Sequence, residues 1–517
     1  MDSKTKTQHG KRLVPVIIDE ITANDPNRIC LSFPRSTDLK DGFQDVKFQT
    51  FANAINKTAR FIEREIGRSS MFETVMYMGH PDVRYSIVLV ALMKTGHKVL
   101  FSSHRNSIAG HIDLIKRTDC GILLHTAGLP VSGILEASRM ESLCMPELDY
   151  LLDDSIDAGP FLYNKSFEQA KHHPCMVVHT SGSTGMPKPV IWTHWQFATM
   201  DAQRPVPDLD GRPTLAGKIH DSCTRCFSGL PIFHGAGIIL SLMVPLYNGC
   251  TVVLGPPGVT TADAFAQVAN HGRIDAASTL SERAGDIIAR HTHLFAAIGS
   301  TETGTLIQHA TDPEDWQYIY YNTEYNGIEW RSQGDLYELI LRKNNDLLDV
   351  QGVFKLYPGI EEYSMSDLYS KHPTKQHHWK HEGRTDDMIV LKSGWNFNPS
   401  KHEALVSSHE LVQHCILVGT GRNIPVAIIE LRADINAEQE DIRRAVLAEL
   451  MPRIDEANSF ADSAGQLRKH SILFAKKEKP FAVSGKGTVQ KKATAALYQE
   501  EIEELYTLLG NTGRVVL

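Results

Sequence analysis

Residues 177–190 read VVHTSGSTGMPKPV, an apolar run that breaks into small and hydroxylated residues and ends in a lysine followed by Pro189 and Val190. The preceding MVVH has the apolar, β-branched character of a strand, so the loop is expected to leave the carboxyl end of a sheet, where ligands of open α/β folds bind. Gly182 and Gly185 let successive backbone N–H groups converge on an anion; Thr180, Ser181, Ser183 and Thr184 add hydroxyl donors, and Lys188 supplies a mobile positive charge. These are the candidate phosphate contacts. The spacing is neither that of a Walker A loop nor that of a dinucleotide fingerprint.

Outward from this loop the chain alternates helical and strand-like segments. FANAINKTARFIERE, YSIVLVALMKTG and AFAQVANHG carry helical periodicity, whereas HKVLFSS, CGILLHT, CMVVHTS and CTVVLGP are short apolar runs of strand type. Such alternation predicts an α/β fold whose strands are covered on both faces. A break falls near HEGRTDDMIVLKSGWNFNP. Beyond it, VQHCILVGTGRNIPVAIIEL supplies two strand-like runs, EQEDIRRAVLAELMPRID a helix, and ATAALYQEEIEELYTLL a last helix. Residues 1–385 are therefore expected to form a large domain and residues 386–517 a smaller α+β domain.

Composition bounds the function. The 517 residues include 42% hydrophobic and 22% charged types, and 53 Lys+Arg against 61 Asp+Glu give a net charge of -8, with no basic block that would mark a nucleic-acid surface. No apolar run is long enough to span a bilayer, and the start lacks the apolar core of a secretory signal, so a cytoplasmic location and no membrane are expected. Eight largely isolated cysteines suit reduced thiols rather than a disulfide framework. His220, Cys223, Cys226 and His234 are ligand types for zinc, but a single Cys-x-x-Cys pair at irregular spacing is not a structural zinc pattern.

The loop resembles the Thr-Ser-Gly-Ser/Thr-Thr-Gly-x-Pro-Lys-Gly signature of the adenylate-forming superfamily, which includes acyl- and aryl-CoA synthetases, luciferases and adenylation domains of nonribosomal peptide synthetases. Residues 180–188 match it, and Pro189 departs from the final glycine. With RLVPVIIDEITANDPNR near the start and GRTDD later, that proline resembles the fungal synthetase-like enzymes in which adenylation precedes a carrier domain and a reductase or thioesterase domain. The resemblance implies a large multi-sheet subdomain and a small mobile one.

Further motifs follow the same resemblance. Phe233, His234, Gly235 and Gly237 in GLPIFHGAGI match the family's aromatic-His segment beside the acyl carboxylate, and Ala297, Ile298 and Gly299 would complete the acid pocket, with Ile298 standing where the family has tyrosine. His234 is assigned hydrogen bonding or closure rather than base chemistry, because a carboxylate is already ionised near neutral pH. Thr301 would contact the α-phosphate. Glu302 would hold magnesium, since a carboxylate near a triphosphate needs a cation between them. Asp335 in WRSQGD and Asp367 in YSMSDLYSKHP compete for the ribose contact; Asp367 lies nearer Arg384 and is chosen, with Arg384 reaching the sugar or phosphate. Asp386 matches the hinge between the domains. In VSGKGTVQKKAT, Lys486 follows a glycine and is the expected catalytic lysine, although another register selects Thr488 and leaves Lys491 and Lys492 open.

The expected activity is ATP- and Mg2+-dependent conversion of a carboxylic acid, of hydroxybenzoic type, to its acyl-adenylate, then transfer to the phosphopantetheine of a carrier. No carrier motif occurs within the chain. A free-standing aryl- or acyl-CoA ligase and an inactive ligand-binding homologue are the alternatives.

Overall fold

The computed structural model describes residues 8–104, 106–180, 186–256, 262–278, 285, 288–290, 292–392, 396–435, 437–459, 461, 465–484 and 488–511. The expected α/β class holds, in several sheets. One sheet runs Glu141–Cys144, Cys120–His125, Thr74–Met78, Lys98–Phe101, Pro174–Thr180 and Lys188–Thr193, parallel except for the last pair. A second runs His293–Phe295, Ala276–Ser278, Arg225–Ser228, Thr251–Leu254, Ile29–Pro34 and Phe43–Lys47, again parallel up to its final antiparallel pair. The helices Phe48–Ile66 and Arg84–Thr95 share one core with both sheets. Every residue of Arg84–Thr95 is buried, which explains its nearly unbroken apolar sequence.

A third sheet has Gln308–His309, Tyr318–Tyr321, His378–Arg384, Glu362–Lys371, Leu336–Arg342 and Ile328–Gln333 in order, antiparallel throughout. Its core packs Leu339, Leu341, Phe354 and Tyr369, with Trp330 stacked on Trp379 at 3.6 Å. Asp335 is exposed in the turn joining the two strands Ile328–Gln333 and Leu336–Arg342.

After the 3-10 turn Thr385–Asp387 the chain forms separate cores around Val412–Val418, Val426–Leu431 and Ile472–Phe474, covered by Ser400–Ser407 and Glu440–Asn458. The expected single last helix is two, Lys491–Leu497 and Gln499–Asn511. Tyr498 lies between them because its fully buried ring and its hydroxyl, which accepts from the Lys476 amide and donates to the Lys479 carbonyl, fix it against the sheet. Among the described residues, no helix is long and apolar enough to cross a membrane.

The helix His194–Asp201 continues from the strand Lys188–Thr193 and is strapped by the first described residues. The Asp201 carboxylate, 0% exposed, accepts from the Gly10 amide at 2.8 Å and Arg12 Nε at 2.9 Å, and contacts His9 Nδ1 at 3.0 Å. Burial alone would raise this carboxyl, but the Arg12 guanidinium holds it below its ordinary value. Asp201→Ala leaves the Arg12 charge without its partner and is expected to destabilise the fold by about 3–5 kcal/mol. Denaturant unfolding measures this; an unchanged midpoint would remove the strap from the account.

Candidate active site

Thr180 pairs directly with Lys188, so the intervening turn is closed by the antiparallel strands Pro174–Thr180 and Lys188–Thr193. Pro187 is buried beside Gly110, and Lys188 is exposed at the start of the return strand. Ser181, Gly182, Ser183, Thr184 and Gly185 lie outside the described residues. Thr180 is the carboxyl end of a strand that runs parallel to Lys98–Phe101, which is the position expected to precede an anion-binding loop.

His179 precedes the loop. Its Nε2 accepts from the Ser103 amide at 3.2 Å and lies 3.3 Å from Asn106 Nδ2, so the ring proton sits on Nδ1 and the imidazole is neutral. His234 is buried, its ring 6.0 Å from His179 and 5.1 Å from Phe233. Phe233 in turn stacks on His104 at 5.4 Å, and His104 Nε2 lies 3.0 Å from the Tyr85 hydroxyl. Gly235 and Gly237 form the short helix that leads into a π-helix, Ile239–Asn248. A Cβ on Gly237 would overlap the Pro231 carbonyl, so this turn needs glycine. Pro245 has no N–H to give, which suits it to the interior of the wider π-turn.

Glu302 stands at the tip of a hairpin with only two residues in each arm, Gly299–Ser300 and Gly304–Thr305. The turn is self-bonded: Ser300 Oγ accepts from the amides of Glu302 at 3.2 Å and Thr303 at 3.1 Å, and Thr303 Oγ1 accepts from the Ser300 amide at 3.0 Å. The Thr301 carbonyl accepts from Trp192 Nε1 at 2.8 Å. Ala297 and Gly299 are exposed, whereas Ile298 between them packs against the core of the antiparallel sheet. The expected apolar pocket wall at Ile298 is thus partly committed elsewhere, because successive side chains of an extended segment face opposite ways.

Asp367 and Arg384 are cross-strand partners, with Nη1 3.5 Å from the Asp367 carboxylate. Asp367 lies in a bulge: Ser366 has φ of 57°, and the register slips between the pairs Glu338–Leu368 and Ile340–Ser364. Bulges re-aim the side chains beside them. Asp367 is also 3.3 Å from His381 Nε2, and Arg384 Nε donates to Asp386 at 2.9 Å. Burial would lower the Arg384 guanidinium, but Asp386 and Asp367 outweigh it and hold it above its ordinary value.

Four contributors were not singled out in the sequence. Ser300 and Trp192 fix the hairpin, while Tyr357 and Tyr363 stack at 6.4 Å within the field of Glu302. Burial first and Glu302 second raise both phenols. An aromatic residue at 192 in an alternating strand reads only as core.

Lys486 lies outside the described residues, but its flanks are closed tightly. Val483 bridges Val489, and the Ser484 amide donates to the Thr488 carbonyl at 2.7 Å. The Thr488 hydroxyl lies 2.6 Å from Ser484 Oγ, within the closure. Lys491 is held in the small core by Glu403 at 2.8 Å and Asp387 at 3.3 Å, an arrangement poorly suited to a mobile charge; Lys492 is exposed. Of the four zinc-type residues, His220 Nδ1 lies 3.0 Å from the Asn248 carbonyl, and burial pushes the Cys223 thiol up to about 11.

Gly299→Ala would place a Cβ on the Gly304 carbonyl and force the hairpin open. An overpacking cost of about 1–3 kcal/mol predicts a loss of nucleotide affinity of roughly tenfold or more, with the rest of the fold retained. Calorimetric titration with ATP and circular dichroism read the two effects. Undiminished affinity would separate the hairpin from the nucleotide.

Comparison with known proteins places this geometry. The family pattern of AMP-binding enzymes matches residues 18–280, and that of the AMP-binding enzyme C-terminal domain matches residues 386–509. A carboxylic acid reductase of Neurospora crassa is 30% identical over 98% of this chain and 52% of its own length. An isocyanide synthase–NRPS hybrid of Aspergillus fumigatus is 30% identical over 96% of this chain and 34% of its own. The chain thus spans a third to a half of the length of these relatives. Among solved structures, the A domain of a carboxylic acid reductase from Segniliparus rugosus superposes with a TM-score of 0.67 at 14% identity, covering 97% of this chain and 95% of that one. The benzoate CoA ligase of Burkholderia xenovorans gives 0.65 at 15%, covering 93% and 99%. The chain belongs to the AMP-binding, adenylate-forming enzyme family, close to the adenylation domains of fungal NRPS-like reductases.

Proposed function

We propose that this chain is a cytoplasmic adenylation domain that activates an aromatic, hydroxybenzoic-type acid with ATP and passes the acyl group to the phosphopantetheine thiol of a carrier, upstream of a reductase or thioesterase. The observation that carries the reading is a connected path between three motifs. The return strand of the glycine-rich loop reaches Thr301, beside Glu302, through Trp192, and Tyr363, whose phenol lies in the field of Glu302, shares a strand with Asp367 opposite Arg384.

In the first step a carboxylate oxygen attacks the α-phosphorus, the bond to the bridging oxygen breaks, and that oxygen departs with pyrophosphate. Lys188 and the loop hydroxyls hold phosphate, Thr301 donates to the α-phosphate, and Asp367 accepts from the ribose hydroxyls. A hard cation fits Glu302, whose carboxylate stands on a turn rich in hydroxyl oxygens. Magnesium, when bound, screens the carboxylate from the triphosphate. Lys486 meets the charge that develops at the α-phosphate. His234 bonds the acid, and Phe233 with residues 297–299 bounds its pocket. In the second step the thiol gives up its proton, attacks the acyl carbonyl and releases AMP. Between the steps the part from residue 386 onward turns about Asp386 and carries the Lys486 loop away.

A screen of acids for pyrophosphate release, followed by thioester formation with CoA and with a phosphopantetheinylated carrier, tests the reading. Release with hydroxybenzoic acids and faster transfer to the carrier is expected. Faster transfer to CoA would make the chain a CoA ligase, and no release with any acid would make it a binding homologue. Lys486→Ala is expected to slow adenylate formation about 100-fold, the order seen when one transition-state donor is lost. Thioester formation from presynthesised adenylate should be nearly intact. Equal loss in both half-reactions would overturn the assignment of Lys486.

A further inference from the structure

We propose that Trp192 is a positioning residue for the nucleotide site, acting through the Thr301 carbonyl to hold the Glu302 turn in place. The inference rests on the nucleotide reading of that turn. A hairpin with two residues in each arm cannot fix its own orientation, because two-stranded ribbons are marginal even at greater length. Its internal bonds through Ser300 and Thr303 shape the turn without anchoring it.

Anchorage comes from the segment that follows the glycine-rich loop. Trp192 Nε1 donates to the Thr301 carbonyl at 2.8 Å, next to Glu302, and Gln203 Nε2 donates to the Thr305 carbonyl at 2.8 Å, at the base of the other arm. Trp192 is 1% exposed, meets Phe197 edge-on at 5.4 Å and pairs across the strand with Met176, so its indole has little freedom to turn. Lys188 begins the same strand. One rigid strand therefore carries the loop lysine at its start and, near its end, the donor that sets the height of the Glu302 turn. The indole N–H is a donor only, and no hydrocarbon ring replaces it.

The test measures binding rather than turnover. ATP is titrated calorimetrically, without acid, in excess magnesium and in EDTA, for the parent, Trp192→Phe, Glu302→Gln and the double variant. Trp192→Phe is expected to weaken binding in magnesium by roughly tenfold, the order of one buried hydrogen bond to a carbonyl left unpaired. Binding in EDTA should fall less, by the share that Thr301 itself gives to the α-phosphate. The double variant should bind no more weakly than Glu302→Gln alone, because both losses pass through one turn.

Should Trp192→Phe unfold, incorporation of 3-benzothienylalanine at 192 removes the N–H, keeps the bicyclic shape and is read in the same way. A folded Trp192 variant with parental binding in magnesium, beside a weakened Glu302→Gln, overturns this proposal alone. So do losses that multiply in the double variant, or an equal loss in EDTA, which a merely structural defect would give. Parental binding by Glu302→Gln overturns the metal reading and this proposal with it.

Discussion

The guanidinium of Arg384 lies between two carboxylates, Asp367 on the neighbouring strand and Asp386 two residues on, and so joins the proposed ribose contact to the proposed hinge. It ends the antiparallel sheet, faces Asp367 within the bulge, and stands where the chain passes through the single turn Thr385–Asp387 into a separate core. A lysine placed here would give one point charge, whereas the planar fork of arginine can serve two acceptors at once.

Asp387 is held from the other side. Lys491 binds both Asp387 and the buried Glu403, and these carboxylates outweigh burial to keep the lysine above its ordinary value. Adjacent acids are thus tied to opposite sides of the turn, Asp386 to the sheet behind it and Asp387 to the core ahead. The Arg384–Asp386 pair is nearly half exposed and costs little to break, while a pivot beyond Asp387 would part that carboxylate from the largely buried Lys491. In the proposed reaction, rotation therefore falls most cheaply before Asp387. The same energetics make Lys491 a poor mobile catalyst, although sequence register alone left it open.

What was legible in the sequence had a local cause. Strands such as Thr74–Met78 and Pro174–Thr180 are buried along their length and so appear as plain apolar runs, and the glycine-rich turn announces itself by composition. Asp367 and Arg384 are near in sequence and face each other across adjacent strands, a local pairing that their spacing allows. What escaped is set by distant contacts. The bulge at Ser366 exists only through its neighbouring strand, Ile298 turns to the antiparallel core, and Tyr498 splits the last helix through hydroxyl contacts to a loop some twenty residues earlier. Trp192 has the sequence signature of any buried strand residue; only the fold brings Thr301 to its N–H.

In the proposed reaction the acyl end of the site follows a different electrostatic rule from the phosphate end. Burial pushes His104, stacked on Phe233, down, and the amide donated to His179 Nε2 fixes that ring in a neutral tautomer. These imidazoles are uncharged at neutral pH, while the proposed nucleotide contacts include the cationic side chains of Lys188 and of Arg384, the latter held above its ordinary value. A carboxylate clamped by a strong cation would lose nucleophilicity, because the cation stabilises the ground state it must leave. Neutral rings can orient it by dipoles and hydrogen bonds and leave its lone pairs available. In the proposed chemistry, positive charge is then concentrated where negative charge grows, at the phosphorus under attack and the departing pyrophosphate, which is the distribution that lowers a barrier rather than deepening the well before it.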